Sequence, residues 1–399
     1  MIRSIYIDNF KALNDFTIQL KPFTVLIGDN SAGKTTILQA IAFLKYCCIS
    51  DSNAFLTERG IPPEELISKL GSKKTISFTV ELELRGKKIN WEFSMVRAKD
   101  QFELRHERVV SGNKTLLAYK NNGVSYRMNA ETGEKDPIMA GSYSGSIIRF
   151  TDVVKQEKIY PELVALKTFF AGIETMDLLS PSNMKRNSKG NTLSIGTGGE
   201  KLGAFIKYLS LAERKELVED VKKFFGAFRS VVPKTKQYGW IHLETREAYA
   251  DKSVDVSAVN VSDGIMRIIA LCALRQIKSD CSTILLDEIE DGVNNEHFET
   301  LVSLLRTITE EKHIQLIATS HNTSLLDYWI DATDGEKKET VGDNAKESIV
   351  FLSRSDIGKV DAQDLLNSAV VRERLNYMYP GEIVQSMTNQ ELRDSLIKE

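Results

Sequence analysis

The nine residues Gly28-Asp29-Asn30-Ser31-Ala32-Gly33-Lys34-Thr35-Thr36 set a glycine, four residues and then Gly-Lys-Thr. That spacing suits a phosphate chain. Glycines let successive backbone N–H groups converge on a phosphate, and a helix that follows points its positive end at it. In such a loop Lys34 reaches the outer phosphates, the Thr35 hydroxyl ligates Mg2+, and Thr36 packs or caps. A second reactive group closes the apolar run Thr283-Ile284-Leu285-Leu286, which ends in Asp287-Glu288. Taken alone, such a pair reads as a helix cap. Taken with the loop, it reads as chemistry: Asp287 as a Mg2+ ligand and Glu288 as the general base for an attacking water. Two further pieces are Ser262-Asp263-Gly264, a polar turn opening an apolar helix, and His321, directly past Ala318-Thr319-Ser320. The turn is a helix start with anion-ready amides. The histidine is either a structural residue or one within reach of an outer phosphate.

These residues need elements to hold them. Phe23–Ile27 is a continuous apolar run of the kind shown by a strand covered on both faces. Ile37, Leu38, Ile41 and Leu44 recur at helical spacing, so the pattern predicts a helix over Thr35–Tyr46. Strand, glycine loop and helix is the context that makes the spacing credible. Two short strands, Ile2–Ile7 and Phe16–Leu20, precede it. From Val261 the alternation of helix and strand returns: a helix over Ile265–Ile277, strands Ser282–Leu286 and Ile314–Thr319, a helix over Phe298–Ile308, and a strand over Ser348–Ser353. A polar loop is expected over Ala332–Glu347, and helix over Lys359–Met378. The reading is an α/β core of residues 1–46 and 261–399, with a mixed or parallel sheet flanked by helices.

The middle differs. Alternation between about Lys74 and Arg108 predicts antiparallel strands, so residues 47–150 read as an inserted β lobe. Residues 151–260 read as a helical and loop subdomain. Its helices are expected over 160–177 and 200–228, with a mobile loop rich in Ser, Asn, Lys and Gly over Leu179–Gly199. Lys185, Arg186 and Lys189 in that loop are a solvated cluster or a phosphate-contacting one. The lysines around Phe224, Phe225 and Phe228 surround aromatics at core spacing, which speaks against base stacking there.

Composition bounds the partners. A net charge of −3 over 399 residues provides no whole-chain basic field for nucleic acid, so a DNA surface has to be a local patch. No apolar run approaches the roughly 18 residues a membrane span needs, and the N-terminus alternates like a strand rather than a signal peptide. Cys47, Cys48, Cys272 and Cys281 lack paired metal spacing and read as reduced core thiols of a cytoplasmic protein.

In this order, phosphate loop, Ser262-Asp263-Gly264 helix, Asp287-Glu288 strand and Ser320-His321, the motifs resemble those of the ABC-type ATPases that include SMC proteins, RecF and the OLD-like ATPases of bacteria. The opening Ile5-Tyr6-Ile7-Asp8-Asn9-Phe10-Lys11-Ala12-Leu13 is similar to the strand and turn that begin RecF and OLD-like proteins, and the basic loop within Leu178–Leu209 is similar to theirs. Ser-Asp-Gly, where transporter ATPases have Ser-Gly-Gly, points to the OLD/RecF branch. The resemblance implies a P-loop NTPase with an ABC-type head, using ATP and Mg2+. Ser262, Asp263 and Gly264 of one protomer would close over the nucleotide of another, with His321 acting in cis. Asp291-Gly292-Val293-Asn294 matches the loop that crosses the dimer interface, although transporters end it in Asp. OLD nucleases carry a C-terminal Toprim domain, which needs an Asp-x-Asp. The 45 residues after Arg354 (399 − 354) have none, so no Toprim nuclease is expected here. The expected assembly is a homodimer or higher homo-oligomer, away from membranes, controlling a separate nuclease or toxin effector in prokaryotic antiviral defence. A RecF-like DNA-binding ATPase of repair or replication is the alternative.

Overall fold

The computed structural model describes residues 1–121, 123–176, 179–277, 280–329 and 346–397. The loop expected over Ala332–Glu347 therefore falls almost wholly outside the described residues. The chain is mixed α/β, with sheets flanked by helices. It divides into two compact units: Met1–Ile173 with Lys338–Tyr377 and Met387–Glu399, and Glu174–Lys337 with Met378–Ser386.

In the first unit an eight-stranded antiparallel sheet runs in the order Phe16–Gln19, Ile2–Asp8, Thr75–Leu84, Lys87–Ala98, Gln101–Ser111, Lys114–Lys120, Tyr126–Met128, Lys135–Pro137. The first two strands, which the sequence places with the α/β core, thus pair into the sheet of the inserted strands. Ile5 lies opposite Val80 and Ile7 opposite Phe78, so their buried faces are shared. Register of this kind is set by a partner strand, which single-strand periodicity does not contain.

The strand Phe23–Gly28 pairs in parallel with Glu347–Arg354, from Phe23↔Glu347 to Gly28↔Leu352. Five of its six residues are buried, as its unbroken apolar run requires. The helix that follows spans Lys34–Ile49 and buries ten of its residues. Its Phe43 ring lies 5.7 Å from Phe10, 6.0 Å from Phe78 and 5.4 Å from Phe55, fastening the helix to the antiparallel lobe. Aromatic pairs of this sort add about 0.5–1.5 kcal/mol beyond their burial. Phe10 sits there because Asn9 adopts a left-handed φ of 64° and its amide donates to the Lys73 and Thr75 carbonyls at 2.9 and 2.8 Å. The similar opening turn is thereby a structural clamp.

Beyond Arg354 the expected helix over Lys359–Met378 is not formed. Val360–Asp364 is a strand, antiparallel to Glu347–Arg354, and only Ala369–Arg374 is α-helical. An available sheet edge outweighs helix propensity, and Asp364 then ends the strand by accepting from Leu366 N.

In the second unit Thr283–Leu286 and Gln315–Thr319 run in parallel, both entirely buried. The helix expected over 200–228 is two helices, Leu202–Tyr208 and Leu211–Phe224. Ser210 separates them as an N-cap whose hydroxyl accepts from Glu213 N while Glu213 accepts from Ser210 N. The stretch read as helix and loop also holds a four-stranded antiparallel sheet of Ser188–Lys189, Trp240–Tyr249, Phe228–Thr235 and Lys252–Ser257. The expected helix over 160–177 stops at Ala171 and becomes the strand Ile173–Met176 after Gly172. The loop over Leu179–Gly199 contains a helical turn, Pro181–Met184, and buries Met184 and Ile195. Phe224 and Phe228 are buried, as core aromatics should be, and all four cysteines are buried free thiols. No helix among the described residues is long and apolar enough to cross a membrane.

Candidate functional site

The phosphate loop belongs to the first unit. Gly28, at the end of its strand, has φ 136°, and a Cβ there would lie 2.1 Å from the Leu352 carbonyl oxygen. Only glycine fits beside that parallel neighbour. Ser31 (φ 70°) and Gly33 (φ 96°) are also left-handed, turning backbone N–H groups toward one side as an anion-binding concavity. Asn30 and Ser31 are exposed, while Ala32 is buried and donates its N–H to Asp29 O at 3.1 Å. Gly33 caps the helix without a side-chain bond, and the first turn carries no acidic residue, so its positive end is left for an anion. Lys34 is buried, with Nζ donating to Gly28 O at 2.7 Å and Asp29 O at 3.0 Å. Its ammonium is folded back over the loop, and Thr35 and Thr36 are half-buried beside it. Left-handed backbone, a bare helix start and a cation on the loop form a donor set that fits a phosphate chain.

The carboxylates lie in the second unit. Asp287 and Glu288 follow Leu286 at the strand end, and Glu288 takes φ 48°, rare for a residue with a long side chain. Three bonds from Arg267 and Thr319 hold that backbone, and a fourth holds the Asp287 carboxylate. Arg267 Nη2 donates to Asp287 O at 3.1 Å and Glu288 O at 2.6 Å, and Glu288 N donates to Thr319 Oγ1 at 2.8 Å. Thr319 Oγ1 in turn donates to Asp287 Oδ1 at 2.5 Å. The Glu288 carboxylate emerges half-exposed, with His321 Nε2 3.2 Å from its Oε1. Glu290 Oε1 receives the His321 N–H at 2.5 Å and the Asn322 N–H at 3.0 Å, which fixes the turn that presents the imidazole. Asp287, Glu288 and His321 are thus brought together, as their positions past adjacent strand ends predict.

Ser262, Asp263 and Gly264 do other work within the chain. Ser262 is the N-cap, its hydroxyl accepting from Ile265 N at 3.3 Å. Asp263 is exposed and pairs with Lys185 at 2.5 Å. Gly264 packs on Gly292, where a Cβ would meet the Gly292 carbonyl oxygen at 2.6 Å. The turn is therefore a capped helix start pressed against the Asp291–Asn294 loop, its serine and aspartate facing outward. Arg267, one turn along the same helix, also pairs with Asp291 at 3.1 Å.

Arg267 and Thr319 are functional candidates that the sequence reading passed over. Thr319 is a β-branched residue in a buried strand and looks like packing. A charged residue in the otherwise apolar run from Ile265 to Leu271 was the available signal for Arg267, because a buried guanidinium needs a specific set of acceptors.

A sequence model of the AAA ATPase domain matches residues 1–134, and a second, described as "AAA domain, putative AbiEii toxin, Type IV TA system", matches residues 181–327. An OLD nuclease of Thermus scotoductus (strain ATCC 700910 / SA-01) is 46% identical over 41 residues. That match spans 10% of this chain and only 8% of the nuclease. Among solved structures, an SMC head bound to the C-winged helix domain of ScpA superposes with a TM-score of 0.55 at 15% identity, covering 91% of this chain and 97% of that one. The SMC head domain from Thermotoga maritima covers 91% and 98%, at 12% identity and a TM-score of 0.47. The fold is that of an SMC head, and with the matches to AAA ATPase domains the resemblance to OLD/SMC-like ATPases is borne out.

Proposed function

We propose that this chain, whose sequence matches AAA-type ATPase domains and whose fold is that of an SMC head, binds ATP with Mg2+ and hydrolyses it to switch the association of its heads. Lys34 and the loop amides would hold phosphates, Thr35 would offer its hydroxyl to Mg2+, and Asp287 would offer its carboxylate to Mg2+. The ion, when bound, neutralises charge developing on the phosphates. Glu288 takes the proton from the attacking water, and His321, bonded to that carboxylate, orients it. The observation that carries the reading is the Glu288 backbone itself. A non-glycine residue is held left-handed at a strand end by a buried arginine and a threonine, and its carboxylate is left toward solvent on a histidine. Such strain is maintained where a side chain has to be aimed.

Ser262, Asp263 and Gly264 would act on the nucleotide of a second copy. Outward-facing Ser262 and Asp263 on a capped helix start suit that role. The output of the switch passes to a partner effector, a nuclease or toxin in antiviral defence, and the setting is cytoplasmic. The RecF-like alternative has the associated heads enclose DNA.

Two experiments test this. Glu288→Gln should lower turnover by roughly 10²–10⁴-fold while ATP-bound dimers accumulate on sizing. Normal turnover would remove Glu288 as the base. Mixing Lys34→Ala chains with Ser262→Arg chains should recover part of the activity that each lacks alone, because one mixed site is then intact. A mixture as inactive as its parents would overturn the action in trans. Steep salt-dependent duplex binding that requires ATP would favour the RecF-like alternative.

A further inference from the structure

The second unit carries an aromatic and cationic groove lined by none of the residues assigned to nucleotide hydrolysis. It is about 730 Å³ in volume and is lined by Asn187, Lys236, Gln237, Tyr238 and Trp240. Tyr238 and Gly239 are consecutive left-handed residues (φ 59° and 77°) at the tip joining two antiparallel strands. Lys236 N donates to Trp240 O at 2.7 Å and closes the tip. Such turns prefer Asn or Gly at the position Tyr238 holds, and a bulky side chain at positive φ is retained for what it presents. The residue is 85% exposed. Trp240 is 43% exposed and lies opposite Lys189 in strand register, with the Lys189 ammonium 5.7 Å from its ring centroid. Lys207, bonded to Thr235 Oγ1 at 2.8 Å, brings a further cation to the same sheet end. No carboxylate is among the described lining residues.

We infer that this hairpin tip binds single-stranded nucleic acid, with bases stacking on Tyr238 and Trp240 and phosphates held by Lys189 and Lys236. Stacking needs unpaired bases, because a duplex hides their faces. The Gln237 amide, and the amide nitrogen of Asn187 whose Oδ1 is bonded to His242 Nδ1 at 3.1 Å, supply hydrogen bonds that suit base edges. Charge complementarity separates this occupant from a protein partner, since lysine is depleted from protein interfaces while Trp and Tyr are shared by both. The net charge of −3 makes the local lysines more telling, as they are not part of a general basic surface.

The test uses the full chain and a labelled oligo(dT) of about twenty nucleotides, followed by anisotropy. Of the three tryptophans, Trp91 and Trp329 are fully buried, so quenching of intrinsic fluorescence reports Trp240 directly. The expected result is binding with quenching at low salt, weakened about tenfold or more by Trp240→Ala and largely restored by Trp240→Phe. Tyr238→Gly relieves the backbone, so it folds at least as well, and it should also weaken binding. Lys236→Ala should reduce the slope of log affinity against log salt by about 0.7. Basal ATPase activity should stay unchanged in all four. Absence of oligo(dT) binding at low salt would overturn the inference. So would equal affinity for a duplex, or binding that Trp240→Ala and Tyr238→Gly leave intact.

Discussion

Replacing Arg267 by alanine removes the cation behind Asp287 and Glu288 without touching a reacting group. Arg267 is 8% exposed and its guanidinium has three partners: Asp287 O at 3.1 Å, Glu288 O at 2.6 Å, and the Asp291 carboxylate at 3.1 Å. Asp291 is 62% exposed, so that pair contributes little, about 0–1 kcal/mol. The two carbonyl bonds come from a charged donor, a class worth about 1.5–3 kcal/mol each. Water reaches the exposed rim of Glu288 and replaces part of that, so a loss of roughly 2–4 kcal/mol in stability is expected. Glu288 at φ 48° also stores about 1–2 kcal/mol of backbone strain. With Arg267 gone, only the Thr319 bond to Glu288 N and the Asp291 N–H on the Glu288 carbonyl at 3.1 Å hold this residue, and the carboxylate moves. Misplacement by about 1 Å costs about 10²-fold in rate, so kcat should fall by one to two orders of magnitude while ATP affinity at the phosphate loop is kept. Arg267→Lys restores one carbonyl bond at most and should recover only part of the rate. The assay is steady-state phosphate release, with thermal unfolding and fluorescent-ATP binding measured on the same samples. Wild-type kcat in a stably folded Arg267→Ala protein would refute the positioning argument. An equal loss of ATP binding would show that the effect is not confined to Glu288.

Thr319→Val keeps the shape but strips the hydroxyl from Glu288 N and Asp287 Oδ1, so it should cost about 1–3 kcal/mol and lower kcat in the same direction; equilibrium denaturation and turnover check it. Gly28→Ala puts a methyl 2.1 Å from the Leu352 carbonyl at a disallowed φ, and the expected outcome is loss of ATP binding with a fall in stability of several kcal/mol, read by calorimetry. Glu107, fully buried, accepts from Trp91 Nε1 at 2.9 Å, Ile147 N at 2.7 Å and the Ser146 hydroxyl, yet burial dominates and raises its pKa from 4.5 to about 7. Between these values the unfolded chain has released the proton that the folded chain keeps, so stability falls as pH rises from 4.5 to 7 and is then level. That loss is on the order of 3 kcal/mol. Denaturant midpoints across this range should show the fall, and Glu107→Gln should flatten it.

Much of the site was legible because its chemistry is local in sequence. Gly28–Thr36 needs only a strand before it and a helix after it, and both are announced by the five-residue run Phe23–Ile27 and a 3.6-residue period. Asp287 and Glu288 close a run whose burial is evident from Ile284, Leu285 and Leu286. Two of the misreadings share one cause. Val360–Asp364 became a strand because Glu347–Arg354 offered an edge, and Ile2–Asp8 joined the antiparallel sheet because Thr75–Leu84 lay ready to pair with it. In both, a partner distant in sequence outweighed a weak local preference.

The sequence by itself determined where a phosphate-binding loop is expected, which carboxylates are candidates to work with it, and the resemblance to OLD/SMC-like ATPases. Those properties follow from residue type and short spacing. Only the tertiary structure decided how the chemistry is aimed. Arg267 lies 21 residues before Glu288 and Thr319 lies 31 after it, yet both fix the same strand end. Gly264 owes its identity to Gly292, whose carbonyl leaves no space for a Cβ. Hydrogen bonds and close backbone contacts act over about 3 Å whatever the separation along the chain, and a sequence records separation along the chain alone.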